Sequence, residues 1–201
     1  MPNWCNNDLY MKHADPKMME KALDAWNSGK FLGGLVPEPD YTITPVAKTY
    51  PHIGANFAKT EEEKAEIMKN EPKIRDDAWW DWRVQNWGTK WDIGADNEGS
   101  CSTKLDHNGA MSVFFCSAWS PPIEAYIKLT EMGYEITATY YEGGDAFCGE
   151  FDNGSDYFYS IEGNSEWVKE NIPAHIDEAH CISENMAEWE EENADEEEED
   201  A

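Results

Sequence analysis

The stretch Asn86-Trp87-Gly88-Thr89-Lys90-Trp91-Asp92 sets one ammonium and one carboxylate among indoles, and Trp79-Trp80-Asp81-Trp82 just upstream adds three more rings. Rings of this size usually vanish into a core, whereas Lys and Asp rarely bury without partners. The combination reads in two ways. In one, Gly88-Thr89 makes a turn, the indoles fill a seam between substructures, and Lys90 rests on Trp87 and Trp91 with Asp92 as its ion partner. In the other, the same residues form a pocket with aromatic walls and one cation, suited to a planar or anionic ligand such as a nucleobase or nucleotide. Ala118-Trp119-Ser120-Pro121-Pro122 supplies the other half of such a pocket, because a helix opening at Ser120 presents free N–H groups and partial positive charge to an anion. The candidate binding set is therefore Trp87, Thr89, Lys90, Trp91, Asp92, Trp119 and Ser120, with Glu142 from a glycine-rich turn as its last member.

That turn, Glu142-Gly143-Gly144-Asp145-Ala146-Phe147-Cys148-Gly149, lacks phosphate-loop spacing and the following Lys-Ser/Thr, so it reads as a β-turn. His175 and His180 with Cys181 invite a metal reading. Their separation on a helix suits one ion poorly, however, and His-Glu-x-x-His is absent. The five cysteines are scattered and never form Cys-x-x-Cys, which disfavours a zinc or redox site and fits buried thiols in a reducing compartment. Neither metal nor cofactor is expected. No nucleophile elbow is present, and carboxylates are so abundant that any single pair arises by chance, so catalysis finds no support.

The abundance is itself informative. Among 201 residues, 42 are Asp or Glu against 15 Lys or Arg, a formal net charge of −27. That field leaves no room for a basic nucleic-acid patch and repels anionic membrane. No apolar run approaches the ~18 residues that would span a bilayer. The first residues show neither a cationic region nor an apolar core, so no secretory signal is expected and the setting is cytoplasmic.

The elements that must position the candidate residues follow from periodicity. Trp4 to Met11 reads as a strand, and Asp15-Pro16 caps a helix whose Met18, Met19, Ala22, Leu23 and Trp26 share a face until Ser28-Gly29. Residues 31–50, with paired glycines and three prolines, read as an irregular loop. Thr60 and Glu63 form a capping box for a helix ending near Asn70, before Pro72. A second helix runs from Asp76 to Trp87, with Trp80, Val84 and Trp87 on one stripe and Gly88 as its stop. Residues 31–98 are thus expected to be a tryptophan-rich, mostly helical insertion. Beyond it, Ser102–Asp106 and Ala110–Ala118 flank Asn108-Gly109 as a hairpin, Ser120-Pro121-Pro122 opens a helix ending at Gly133, and Tyr134–Tyr141 alternates as a strand. Phe147–Phe151 and Tyr157–Ile161 make further strands. Residues 1–30 with 99–162 then give an α+β, ferredoxin-like split βαβ sandwich with an antiparallel sheet.

The C-terminal part differs in kind. Residues 177–201 hold thirteen carboxylates and no Lys or Arg. An acidic helical extension is expected over 163–192, presenting Glu184, Glu188, Glu190, Glu191 and Glu192, with 193–201 disordered by like-charge repulsion. A helix of that whole acidic stretch would be ~37 Å long with carboxylates ~2.9 Å apart, against a charge every ~1.7 Å in duplex DNA.

Four blocks together resemble a family of phage- and plasmid-encoded proteins with a YubB-type ferredoxin-like domain. They are Met1-Pro2-Asn3-Trp4-Cys5-Asn6-Asn7, Trp87-Gly88-Thr89-Lys90-Trp91-Asp92, Ala118-Trp119-Ser120-Pro121-Pro122, and Tyr141-Glu142 with Phe147-Cys148-Gly149. The resemblance spans roughly residues 1–160 and implies a ferredoxin-like fold and a mobile-element origin. It brings no catalytic residue, and the acidic tail lies outside it. The function expected from charge and resemblance together is a non-enzymatic protein of the host cytoplasm that engages and inhibits a host protein with a basic surface, one route being mimicry of nucleic-acid charge. The competing expectation is a nucleotide-like ligand binder, or an enzyme, built on the pocket around Lys90.

Overall fold

The computed structural model describes residues 3–48, 58–70, 74–97 and 99–199, the last six as backbone only. Met1 and Pro2 of the opening block, Tyr50, Pro72 and Asp200 lie outside the described residues. The chain is α+β. The strands among the described residues are β1 (Trp4–His13), β2 (Met111–Ala118), β3 (Tyr134–Glu142), β4 (Phe147–Asp152) and β5 (Ser155–Ser160). They form one antiparallel sheet in the order β2-β1-β3-β4-β5. The described helices are α1 (Pro16–Asn27), α2 (Phe31–Leu35), α3 (Glu61–Lys69), α4 (Ala78–Trp87), α5 (Ile123–Glu131), α6 (Ser165–Asn171), α7 (Ala174–His180) and α8 (Ile182–Glu199). None is long and apolar enough to cross a membrane.

Alternation in the central strand decides which face is which. Cys5, Asn7, Leu9 and Met11 are buried, while Trp4, Asp8 and Tyr10 on the opposite parity are exposed. The first set meets α1 and α5 in the main core, where Met19, Trp26, Tyr126 and Leu129 pack against Leu9, Ile136 and Phe151. Asn7 enters this apolar face because its amide donates to Cys5 O, Phe115 O and Ser117 Oγ. Helix α1 starts as its sequence demands: the Asp15 carboxylate accepts from Lys17 N at 2.9 Å, and Pro16 needs no donor there. On the other face α6, α7 and α8 form a satellite core, in which Val168, Ile172, Ile176 and Ile182 surround Cys148.

Four expectations need correction. Residues 31–35 are a short helix, and Phe31, Leu32 and Leu35 sink into the main core beside α1. Apolar burial there outweighs the Gly33-Gly34 loop signal. Gly34 fits because its missing Cβ would lie 2.8 Å from that of Ala25. At α3, Thr60 Oγ1 accepts from Glu63 N, but the Glu63 carboxylate reaches Lys59 N, one residue beyond the Thr60 amide that a capping box uses. Ser102–Asp106 is not a strand. Its backbone is satisfied by side chains instead: Trp26 Nε1 donates to Cys101 O, and Asn27 exchanges hydrogen bonds with Thr103. Asp106 takes the Asn108 and Ala110 amides, so the Asn108-Gly109 turn closes on a carboxylate. The hairpin is elsewhere. Asn153 (φ +44°) and Gly154 (φ +104°) join β4 to β5 in two residues of positive φ, as a type I′ turn requires.

Gly154→Ala should therefore cost about 1–2 kcal/mol, because an L residue with a Cβ is forced left-handed. Thermal denaturation beside wild type measures it, and an unchanged melting temperature would remove the turn from the account.

Candidate functional site

The tryptophan segment is built in two layers. The inner layer is α4. It ends at Gly88, whose φ of +86° breaks the helix and whose missing Cβ would lie only 3.0 Å from Ile123 N. One residue earlier Trp87 is fully buried, and its Nε1 donates to Val36 O at 2.9 Å. The Arg83 guanidinium lies 4.9 Å from the Trp87 ring centroid and 5.2 Å from that of Trp79. Arg83 also grips Glu38 with two N–H donors, at 2.6 and 2.9 Å, and donates to Lys90 O. Burial pushes the Glu38 carboxyl up, but hydrogen bonds from Arg83 and Tyr41 outweigh it and hold the group below its ordinary value. Lys128 on α5 hydrogen-bonds Asn86 and sits over Trp82, while Arg75 and Asp81 form a buried ion pair at 2.6 Å.

The outer layer contains Lys90. Its Nζ lies 4.2 Å from the Trp91 centroid and 3.8 Å from that of Trp119, so the ammonium is flanked by two indole faces. Trp4 extends the patch, 5.7 Å from Trp91. Unlike Trp87, which is fully buried, Trp91 and Trp119 are 40% and 42% exposed, so these two indoles do not fill a seam. Asp92 is not the partner of Lys90. Its carboxylate accepts from Leu32, Gly33 and Ile93 N–H groups and so caps α2. Burial raises the pKa of Asp92, against the pull of those three donors.

Thr89 and Ser120 are brought together, but as a clasp. Thr89 Oγ1 donates to Ala118 O, Ser120 Oγ to Gly88 O, and Ser117 Oγ to Ser120 O. Ser120 does not cap α5, whose N-cap residue is Pro122, and the first amides of that helix face the Gly88 turn. The expected anion site at this helix start is filled by the chain's own backbone. Trp119 has φ +70°, a strained value for a residue with a Cβ, and its N–H donates to Asn3 O. Glu142 is buried and closes its turn by accepting from Gly144 and Asp145 N–H groups.

Of the acidic candidates, Glu184, Glu188, Glu191 and Glu192 are exposed on α8. Glu190 is not available: its carboxylate accepts from Ser165 N and Ser165 Oγ at the start of α6. His175 and His180 reach different partners, Glu150 at 2.6 Å and Thr139 at 3.1 Å. No group of three metal-binding side chains occurs among the described residues. The sequence reading passed over Arg83, although it lies four residues from both Trp79 and Trp87 on one helix, the spacing that stacks side chains. It also passed over Trp4, which no local pattern connects to Trp91.

Compared with known proteins, no family model and no curated protein matches the sequence. Among solved structures, one described as the crystal structure of a protein api92 from Yersinia pseudotuberculosis, family-model DUF1281, aligns at a TM-score of 0.40 and 11% sequence identity. That alignment covers 82% of this chain and 99% of the other.

Trp87→Ala should cost about 3–5 kcal/mol as a core truncation, whereas Trp91→Ala should cost about 0.5–1 kcal/mol, the scale of an exposed cation–π contact. At position 119, Trp119→Gly should equal or exceed Trp119→Ala in stability, reversing the usual order because the backbone is left-handed. Chemical denaturation of the variants measures both.

The Glu38 linkage predicts a pH dependence. A lowered folded pKa gives stability that is present above the ordinary glutamate range and lost as pH falls through the folded value. The stability difference between wild type and Glu38→Gln should therefore shrink as pH drops from about 6 to about 3. A constant difference would show that the Arg83 contact is not electrostatic.

Proposed function

We propose that this protein is an acidic binding protein, encoded by a phage or plasmid, that engages and inhibits a host protein through that partner's basic surface. The carrying observation is α8, where Glu184, Glu188, Glu191 and Glu192 are exposed and none pairs with a described cation. Meanwhile Arg75, Arg83 and Lys128 are drawn into ion pairs, hydrogen bonds and ring contacts in the scaffold. The net outward field is thus negative, because carboxylates far outnumber exposed lysines such as Lys17, Lys21 and Lys169. An 18-residue helix is ~27 Å long, a length over which a row of carboxylates competes with a phosphate backbone for a basic groove.

Our reading of the scaffold is ferredoxin-like. In its support, β1 lies between β2 and β3, all antiparallel, with α1 and α5 packed in one core. Where that arrangement has a further strand beside β2, the irregular segment runs instead, with Ser100 and Thr103 hydroxyls donating to Phe114 O and Ser112 O.

The second reading is a small-ligand protein, and it keeps one observation in its favour. A pocket of about 270 Å³ opens beside the ring patch between Trp4, Asn6, Asn97 and Cys116. Against a nucleotide slot at Lys90 stands the geometry of Trp91 and Trp119, whose inner faces already hold the ammonium.

The test uses a fourfold variant, Glu184→Gln, Glu188→Gln, Glu191→Gln and Glu192→Gln, which leaves Ile182, Met186 and Glu190 in their packed positions. Partners captured from host lysate at low salt should be lost by this variant. The wild-type protein should displace duplex DNA from those partners, with affinity falling as the Debye length shortens below about 10 Å. Partners retained by the variant, with unchanged salt dependence, would refute the acidic-helix mechanism.

A further inference from the structure

The two edges of the sheet are treated differently. The β2 edge is covered, since the hydroxyls of Ser100 and Thr103 occupy its outward carbonyls. No described element lies beyond β5, the last strand in the order. Natural sheets blunt an open edge with Lys, Pro, a bulge or extreme shortness. The β5 sequence, Ser-Asp-Tyr-Phe-Tyr-Ser, has neither Lys nor Pro, and it pairs with β4 residue for residue without a bulge. The two-residue turn makes Asp152–Ser155 a hydrogen-bonded pair, and with it Glu150–Tyr157 and Cys148–Tyr159. The outward backbone donors and acceptors of β5 therefore belong to Asp156, Phe158 and Ser160.

The surfaces that flank this edge differ in chemistry. On the satellite-core face a groove of about 620 Å³ reaches β5 at Tyr157, 49% exposed. Register places Asp8, Thr139, Glu150 and Tyr157 in one row across four strands, and Asp152 lies in the next row. Asp8, on β1, lies about 19 Å from any strand added beyond β5, so Glu150, already bonded to His175, and Asp152 are the carboxylates nearest that edge. On the helix face a second groove, of about 510 Å³, reaches β5 at Phe158, 57% exposed and stacked on Phe147. Trp119, Pro121 and Ile123 line its far side, and the Asp156 carboxylate there is taken by Tyr140 OH. One side of the edge is acidic and the other apolar.

Side chains of an extended strand alternate between faces with a period of two. We propose that the open edge of β5 is a docking site for an extended peptide segment of a basic partner in which Lys or Arg alternates with apolar residues. The segment adds a sixth strand by hydrogen-bonding to Asp156, Phe158 and Ser160. Its cations lie over Tyr157 toward Asp152 and toward Glu150, which His175 also bonds, and its apolar side chains lie against Phe158 and Phe147. Backbone pairing supplies the affinity and the two unlike grooves supply the selection. This assignment rests on the basic-partner reading and adds the conformation and sequence pattern that the partner presents.

The probe is a short peptide alternating Lys and Val, set against a peptide of identical composition with its Lys and Val in separate blocks, and an alternating Ser–Val peptide. With the full-length protein, the alternating Lys–Val peptide should bind roughly tenfold tighter than the block peptide. It should also slow hydrogen exchange at the Asp156, Phe158 and Ser160 amides, and Glu150→Gln with Asp152→Asn should weaken it. Equal binding of the alternating and block peptides, without protection in β5, would overturn the docking site while leaving recognition by overall acidity intact. Equal binding of the Ser–Val peptide would overturn the acidic half of the assignment. Failure of both Lys-containing peptides to bind would overturn the docking site together with the basic-partner reading beneath it.

Discussion

A chain with 42 carboxylates and 15 Lys or Arg must fold against its own field. Self-repulsion of that kind destabilises any compact state, so the places where cations sit decide what can close. Arg75 bonds Val46 O and Asp81, and Arg83 bonds Glu38 and Lys90 O, closing the tryptophan segment on itself, while Lys128 on α5 bonds Asn86 and joins that segment to the helix layer. Arg83 does most there. One guanidinium neutralises Glu38, covers the Trp87 face and bonds the Lys90 carbonyl, coupling the entry to this segment with its exit. With the middle of the chain fixed in this way, Trp87 fills the main core and Gly88 meets the start of α5. The cost of using cations inside is an outer surface whose carboxylates are left unopposed on α8.

The same arrangement explains why an exposed ring patch exists at all. Trp4, Trp91 and Trp119 share the rim of the tryptophan segment with one ammonium, which takes two ring faces. A Lys flanked by indoles is held without an ion pair, so Lys90 stays fixed although the nearby carboxylate, Asp92, is committed to α2.

Much of the fold was legible because local chemistry and tertiary context agree. Asp15-Pro16 could only open a helix, and the alternation of Tyr134–Tyr141 fixes both its strand and its buried face. Where they compete, context prevails. Asn108-Gly109 and Asn153-Gly154 are the same dipeptide, yet only the second has strand partners on both sides. Residues before the first are bound by Trp26 and Asn27, which lie far away in sequence. Phe31–Leu35 reads as a loop from its glycines and becomes core because α1 offers an apolar face. At the candidate site, residue types were legible and depth was not. Trp87 and Trp91 are near neighbours in sequence, but a left-handed Gly88 between them sends one inward and the other to the rim. Glu190 looks like any other acid on α8 until Ser165 is seen beneath it.

If the scaffold ties up Arg75, Arg83 and Lys128 and leaves a surface on which carboxylates far outnumber the exposed lysines, salt must stabilise it. Melting temperature measured between about 10 mM and about 1 M sodium chloride spans Debye lengths from ~30 to ~3 Å, enough to expose and then screen the surface field. The account predicts a melting temperature that rises steadily with salt, because buried contacts such as Arg75–Asp81 are screened far less than exposed carboxylates. A melting temperature that falls with salt would mean that attractive surface pairs hold the fold, and would contradict it.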